Sequence, residues 1–266
     1  MVEISETSRS ESVALAALRS VAALALREMG TRYGRRPGGY VWALLQPLGV
    51  IVVLAFAFSL LARSPALGTS FLLFKATGLL VVQVVTTLSH TVGQSMLYSR
   101  ALLFYPGVSW VDAVIARFLL NTLVVWVVTA LILAGIIVHD GLAPVLDWGR
   151  IALAMGLATA LGFGLGCLNC FLFQRFPVWQ NIWGMITTPL FLISGVIFLY
   201  EDMPLMAQEV LWFNPVLHVT GLMRDGFYPG YAPGYVSVGF VAVCALVPMV
   251  LGLMLMRQYH RDLLHR

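Results

Sequence analysis

Six stretches of this sequence, residues 41–62, 71–90, 118–138, 151–173, 182–199 and 236–256, are apolar on every face. A helix that spans a bilayer needs about 20 apolar residues, because a rise of ~1.5 Å per residue must cover a hydrocarbon core of ~30 Å. A membrane barrel would instead show ~10-residue segments in which apolar and polar positions alternate. Charge confirms the choice of solvent. Only 11% of the 266 residues are charged, against roughly 25% in a soluble domain, and mean hydropathy is +0.89. That leaves too little polar surface to cover a water-facing globule. The predicted fold is an all-α integral membrane protein with six transmembrane helices.

With six spans, both termini and the second and fourth loops share one side. Twelve of the 16 Lys and Arg residues fall there, and only Arg63, Lys75, Arg150 and Arg224 fall on the other. The positive-inside rule then places both termini in the cytoplasm. The pI near 9.1 follows from this anchoring and calls for no nucleic-acid partner. Residues 12–29 are rich in Ala and Leu, but Arg19, Arg27 and Glu28 interrupt them and no small-residue cleavage site follows, so a cleavable signal peptide is not expected. At 100° per residue, Ser12, Arg19, Ser20 and Arg27 form a narrow polar stripe, which suits an amphipathic helix lying in the cytoplasmic interface. The expected organisation is a cytoplasmic segment over residues 1–40 with this helix, a transmembrane domain over 41–256 and a cytoplasmic tail over 257–266.

The motifs exclude more than they assign. A Walker A loop ends in Gly-Lys-Ser/Thr, its lysine neutralising the terminal phosphates. Lys75, the only lysine, stands in Phe74-Lys75-Ala76 without a glycine loop, so any ATP-driven work belongs to a separate subunit. Gly162, Gly164 and Gly166 lie inside an apolar run, where small residues four apart let helices approach closely. Cys167 and Cys170 have no third or fourth ligand in their span and read as buried thiols, as does Cys244. His139, Asp140 and Asp147 carry no nucleophile or metal-ligand spacing and read as a solvated loop. Gln83, Asn121 and Asn169 sit well inside spans, where a helix–helix hydrogen bond is the favoured role. No catalytic, metal or cofactor-binding residues are assigned to this chain.

Two regions stand out. Residues 99–117 form a compact apolar turn with a Pro106-Gly107 breaker and a second helix start capped by Ser109, with Asp112 in its first turn. Such a helix–turn–helix suits docking into a partner's groove. Residues 199–235 hold four prolines and, from Trp212 onward, six Trp, Phe or Tyr side chains. They are too apolar for an exposed loop and too broken for a full span, so short re-entrant helices are expected before the last span.

On these residues the chain resembles the permease subunits of ABC-2-type transporters, in particular those that export capsular polysaccharide. The resemblance runs from about Leu26 to Met256. It rests on Arg27-Glu28, Arg32-Tyr33 and Gly39-Tyr40-Val41-Trp42-Ala43-Leu44-Leu45-Gln46-Pro47, with Gln46 where many relatives carry Glu. Further on come Tyr105-Pro106-Gly107-Val108-Ser109 with Asp112 and Ala116-Arg117. Near the end stand Trp212-Phe213-Asn214-Pro215-Val216-Leu217-His218 and Arg224-Asp225-Gly226-Phe227-Tyr228-Pro229.

The resemblance implies a multi-pass protein of the bacterial inner membrane that pairs with a second copy of itself and with two ATPase subunits, which bind ATP and Mg. It also implies a periplasmic adaptor, an outer-membrane export protein, surrounding membrane lipid and a lipid-linked polysaccharide as cargo. Arg100, Phe104, Tyr105, Pro106, Val108 and Asp112 become the expected ATPase-coupling loop. Tyr40, Trp42, Trp179, Trp183, Trp212, Phe213, Arg224 and Tyr228 become candidates for the glycan channel or gate. For Arg224 a snorkelling or acid-paired structural role competes with contact to a glycan phosphate. Export of O-antigen or teichoic acid is the near alternative. A drug permease is disfavoured by the short loop over residues 63–70, and a lipid-sugar enzyme has only Glu201-Asp202 as a possible acidic pair.

Overall fold

The computed structural model describes residues 18–30, 39–61, 64–103 and 109–264. It is helical, with no strand among the described residues. In chain order the helices are α1 (residues 18–28), α2 (Gly39–Leu61), α3 (Phe71–Gly93), α4 (Ser95–Ser99), α5 (Trp110–His139), α6 (Trp148–Arg175), α7 (Pro177–Ile193), α8 (Leu205–Leu211), α9 (Pro215–Phe227) and α10 (Val238–Leu264). Five of them, α2, α3, α5, α6 and α10, are long and apolar enough to cross a membrane.

The fifth apolar run behaves differently. Expected over residues 182–199, its helix α7 starts at Pro177 and stops at Ile193 after 17 residues, about 26 Å at 1.5 Å per residue. Pro177 occupies the first turn, where its missing N–H costs nothing. Ser194 then turns the chain, and Gly195 adopts φ +75°, a conformation that a side chain would strain. Residues 194–199 continue as a non-helical strap.

Helix α3 is the hub of the bundle. In its most apolar window 72% of the residues are buried, against 17% in α2 and α10. It packs on α6, α5, α9 and α2, while α6 also packs on α10. The α6 glycines make these approaches possible. A Cβ on Gly162 would meet Leu88 Cβ at 2.8 Å, and one on Gly166 would meet Val92 Cβ at 2.6 Å, both on α3. Gly164 faces the other way, towards the Ala245 carbonyl of α10. Close packing, as expected, is the role of this glycine run.

Polar caps set the helix starts. The Ser70 hydroxyl accepts from Leu73 N–H, and Asp147 accepts from Arg150 N–H. At α5, Ser109 and Asp112 form a reciprocal capping box, which satisfies two orphan N–H donors at once. Helix α5 begins eight residues before its apolar run. Its 30 residues span about 45 Å, so its first turns project beyond a hydrocarbon core. The helical part of the expected interfacial segment covers residues 18–28, and Ser12 lies outside the described residues. Leu18 and Leu26 are exposed on α1, and the buried line runs through Leu24 and Glu28.

Candidate functional sites at the two ends of the bundle

One end gathers α1, α4, the start of α5 and the ends of α6 and α10. Its centre is a buried ion pair. Arg117 Nε donates to both carboxylate oxygens of Glu28 at 3.0 Å, and the two side chains are only 5% and 6% exposed. Asn121 Nδ2 donates to the same carboxylate at 3.4 Å and to the Arg117 carbonyl at 2.8 Å. The Tyr98 ring of α4 lies 4.4 Å from the guanidinium carbon. Three elements, α1, α4 and α5, are thereby clasped around one charge. Arg100 is exposed at the C-cap of α4, and Asp112 is buried in its capping box. Phe104, Tyr105, Pro106 and Val108 lie outside the described residues, so of the expected coupling loop the structure shows only the two helices that flank it.

The other end gathers the start of α3, the end of α5, the starts of α6 and α10, and α8 and α9. Asn214 is its joint. The Asn214 side chain accepts from Val216 N–H and donates to the Ile193 carbonyl at 3.1 Å and to Ser194 Oγ at 3.0 Å. Pro215 sits in the first turn. His218 Nε2–H donates to the Trp212 carbonyl at 2.7 Å, and Nδ1 accepts from Ser237 N–H at 3.2 Å. One nitrogen gives and the other receives, so the imidazole is neutral with a fixed tautomer. Trp212, Tyr235 and Phe240 pack around it with ring centroids 5.3–5.7 Å away. The Asn-Pro-x-x-His segment therefore ties α7, α8, α9 and α10 together.

Two cations are buried beside this joint. Arg224 is 2% exposed, donates from Nη1 to the Phe198 carbonyl at 3.2 Å, and lies 4.0 Å from the Phe74 ring centroid. Lys75, also 2% exposed, donates to the Ile197 carbonyl at 3.0 Å and sits 3.7 Å from the Phe58 centroid. Arg224 thus neither snorkels nor hydrogen-bonds an acid among the described residues. At the rim, Tyr231 donates to the Glu201 carboxylate at 3.1 Å and 3.2 Å, and Arg150 pairs with both Asp147 and Asp225.

The segment read as a solvated loop is partly structural. Asp140 accepts from Ser70 and from the exposed His139. Burial works to raise the Asp140 carboxyl, but these two bonds hold it below the ordinary carboxylate range. With its folded pKa depressed, this contact stabilises the fold at neutral pH and is lost as pH falls through the lowered value.

The channel candidates divide between the ends. Trp42 is exposed near the start of α2. Trp179 donates to Asn169 Oδ1 at 3.0 Å, with Trp183 one turn further along α7. Tyr40 starts α2, and its side chain lies outside the description. Trp212, the exposed Phe213, Arg224 and Tyr228 belong to the opposite end.

The comparisons with known proteins bear on this arrangement. Residues 19–228 match the model of the ABC-2 type transporter family. The chain belongs to that family. It is 29% identical over 238 residues to the polysialic acid transport protein KpsM of Escherichia coli, covering 90% of this chain and 92% of that one. It is 28% identical to the capsule polysaccharide export inner-membrane protein BexB of Haemophilus influenzae, over 91% and 92% of the two chains. With CtrC of Neisseria meningitidis serogroup B, a capsule polysaccharide export inner-membrane protein, identity is 25% over 98% of both.

In this ABC-2 chain the sequence missed two partnerships. Glu28 stood out as a charge interrupting an apolar helix and in the Arg27-Glu28 motif, and Arg117 as a cytoplasmic cation and in the Ala116-Arg117 motif, but not as partners. Lys75 served to exclude a nucleotide loop and in the count of charges on the two sides, not as a buried cation. An unpaired charge inside an otherwise apolar run was the available signal, and in each case its partner lies far off in sequence. For Asn214→Ala we expect a loss of about 2–3 kcal/mol, from the cap and the two donated bonds. The thermal midpoint of the full chain in detergent checks this. Asn214→Asp, which keeps the cap but not the donors, should fall between; an unchanged midpoint for Asn214→Ala would remove the joint.

Proposed function

We propose that this chain is the membrane-embedded permease subunit of an ATP-driven exporter that moves lipid-linked capsular polysaccharide across the bacterial inner membrane. The observation that carries the reading is similarity over at least 90% of both chains to inner-membrane proteins named for capsule export, within the ABC-2 type transporter family. The lone lysine, outside any phosphate loop, supports the reading that ATP hydrolysis belongs to a separate subunit.

In this reading α7 is a sixth crossing, the strap over residues 194–199 completes its path, and α8 and α9 are re-entrant. The cytoplasmic end is then the one with the Glu28–Arg117 clasp, where the first turns of α5 extend past the hydrocarbon. An ATPase docking on residues 100–112 would move α4 and α5 together, because the clasp joins both to α1. A second copy of the chain would complete the conduit. The poorly buried α2 and α7 are the faces on which it would pack.

Deletion of the gene with the partner ATPase intact should abolish surface polymer, and the wild-type gene should restore it. Tyr105→Asp should restore chain assembly and ATP hydrolysis but not export. Normal surface polymer in the deletion strain would remove the function, whereas normal export by Tyr105→Asp would remove only the docking role.

A further inference from the structure

Lys75 and Arg224 are like charges in an apolar setting, resting on the same aromatic ring. From the Phe74 centroid, Arg224 Cζ is 4.0 Å away and Lys75 Nζ is 5.0 Å away. Their direct contacts among the described residues are ring faces and two carbonyls; the Glu201 carboxylate acts on Arg224 only through space, without a hydrogen bond to it. Arg224 Nε and Nη2 are buried with no hydrogen-bond acceptor among the described residues. The Tyr228 hydroxyl is likewise left without one. It faces the Thr77 hydroxyl, which donates to the Phe74 carbonyl at 3.0 Å and whose oxygen is the nearest acceptor, outside hydrogen-bond geometry. Surplus donors around two buried cations are costly, because desolvated charge needs a counter-charge or a full set of hydrogen bonds.

The cover over these donors is slight. Both carbonyl acceptors, Ile197 and Phe198, belong to the strap that follows α7. The strap turns at Gly195 with φ +75°, and a Cβ on that residue would meet Leu217 at 2.9 Å. Below it, Gly78 has no side chain to separate Arg224 from the strap: a Cβ there would come within 3.3 Å of Nη2 and 3.0 Å of Val196 Cα. Two neutral carbonyl dipoles on a short non-helical segment therefore stand where a charged acceptor would bind far better. A planar fork beside a compact ammonium matches the oxygens of a phosphate group.

We infer that Lys75, Arg224 and Tyr228 form a receptor for a phosphate-type oxyanion, closed by the strap over residues 194–199. Displacing the strap exchanges the Ile197 and Phe198 carbonyls for phosphate oxygens and supplies acceptors for the unmatched guanidinium nitrogens. The ligand's chemistry follows from the side chains alone. That the transported glycolipid carries it rests on the export function proposed above.

The full-length chain in a neutral maltoside detergent, titrated with inorganic phosphate against chloride at constant ionic strength, gives the first test. A second uses the chain in vesicles of phosphatidylcholine alone and of phosphatidylcholine with phosphatidylglycerol in equal parts. We expect phosphate to raise the thermal midpoint saturably where chloride does not. Lys75→Gln and Arg224→Gln should each weaken half-saturation about tenfold or more, the scale of one charge-assisted hydrogen bond, and Arg224→Lys should retain part of the response. If Arg224→Gln fails to fold, Lys75→Gln decides. A response in detergent assigns the site to the phosphate group itself, and one confined to phosphatidylglycerol vesicles assigns it to a lipid headgroup. Equal effects of phosphate and chloride with no phosphatidylglycerol response, or a wild-type response in Lys75→Gln, overturn the receptor. Normal export by a Lys75→Gln chain that no longer responds to phosphate overturns the glycolipid as its carrier. Phosphate binding by a chain that exports no polymer sinks the proposed function and leaves the receptor standing.

Discussion

Glu28→Gln should destabilise the chain by about 3–5 kcal/mol, because it leaves the Arg117 guanidinium buried without its counter-charge. The pair is 5–6% exposed, so water cannot take over. Arg117 Nη1 is already without a hydrogen-bond partner among the described residues, so the cation has little in reserve. The loss should appear as a lower thermal midpoint and as release of α1, read by faster backbone exchange over residues 18–28. Glu28→Gln combined with Arg117→Met removes both charges and should recover most of the stability, since a buried pair is worth little against an apolar replacement. A cycle through the two single variants and the double isolates the coupling. Additive losses would mean that the clasp is not a pair. If stability recovers in the double variant while export does not, the pair transmits motion from the ATPase side as well as holding α1.

Gly252→Val and Gly164→Val should be nearly as severe, at about 3 kcal/mol or more. A Cβ on Gly252 would lie 2.3 Å from Cys167 C and 2.4 Å from Leu168 N. Gly164 meets the Ala245 carbonyl in the same way from the other helix. These are backbone atoms, so no rotamer change relieves the contact and α10 must move off α6 as a unit. Gly156 and Gly239 have nothing within 4 Å of an added Cβ. Alanine there should be neutral or slightly stabilising, since glycine inside a helix costs up to about 1 kcal/mol. Assembled chain recovered from the membrane, with its thermal midpoint, separates the two classes. Wild-type recovery of Gly252→Val would mean that the α6–α10 seam is looser than described.

The buried seam was partly readable in advance. Gly162 and Gly166 announced close packing by their spacing, because the side of a helix on which a residue lies is a local property. That α3 is the helix they meet, and α10 the one that Gly164 meets, was not written there. The same division holds for α7. Its apolar run was evident, but its ends were misplaced, since Pro177 and Gly195 act through backbone geometry that a hydropathy pattern does not register. In the expected coupling loop, Ser109 and Asp112 were correctly read as a helix start, a matter of four consecutive residues.

The sequence by itself determined the solvent, the helical class, five of the long helices and the family. Each of these depends on apolar length or on ordered motifs, and transfer into a bilayer adds up residue by residue along the chain. Only the tertiary structure decided where the charges go. It set Glu28 against Arg117 across 89 positions and Lys75 against the Ile197 carbonyl across 122, and it placed Lys75 and Arg224 on one ring. Electrostatic energy depends on separation through space and on local burial, and neither exists until the helices have packed.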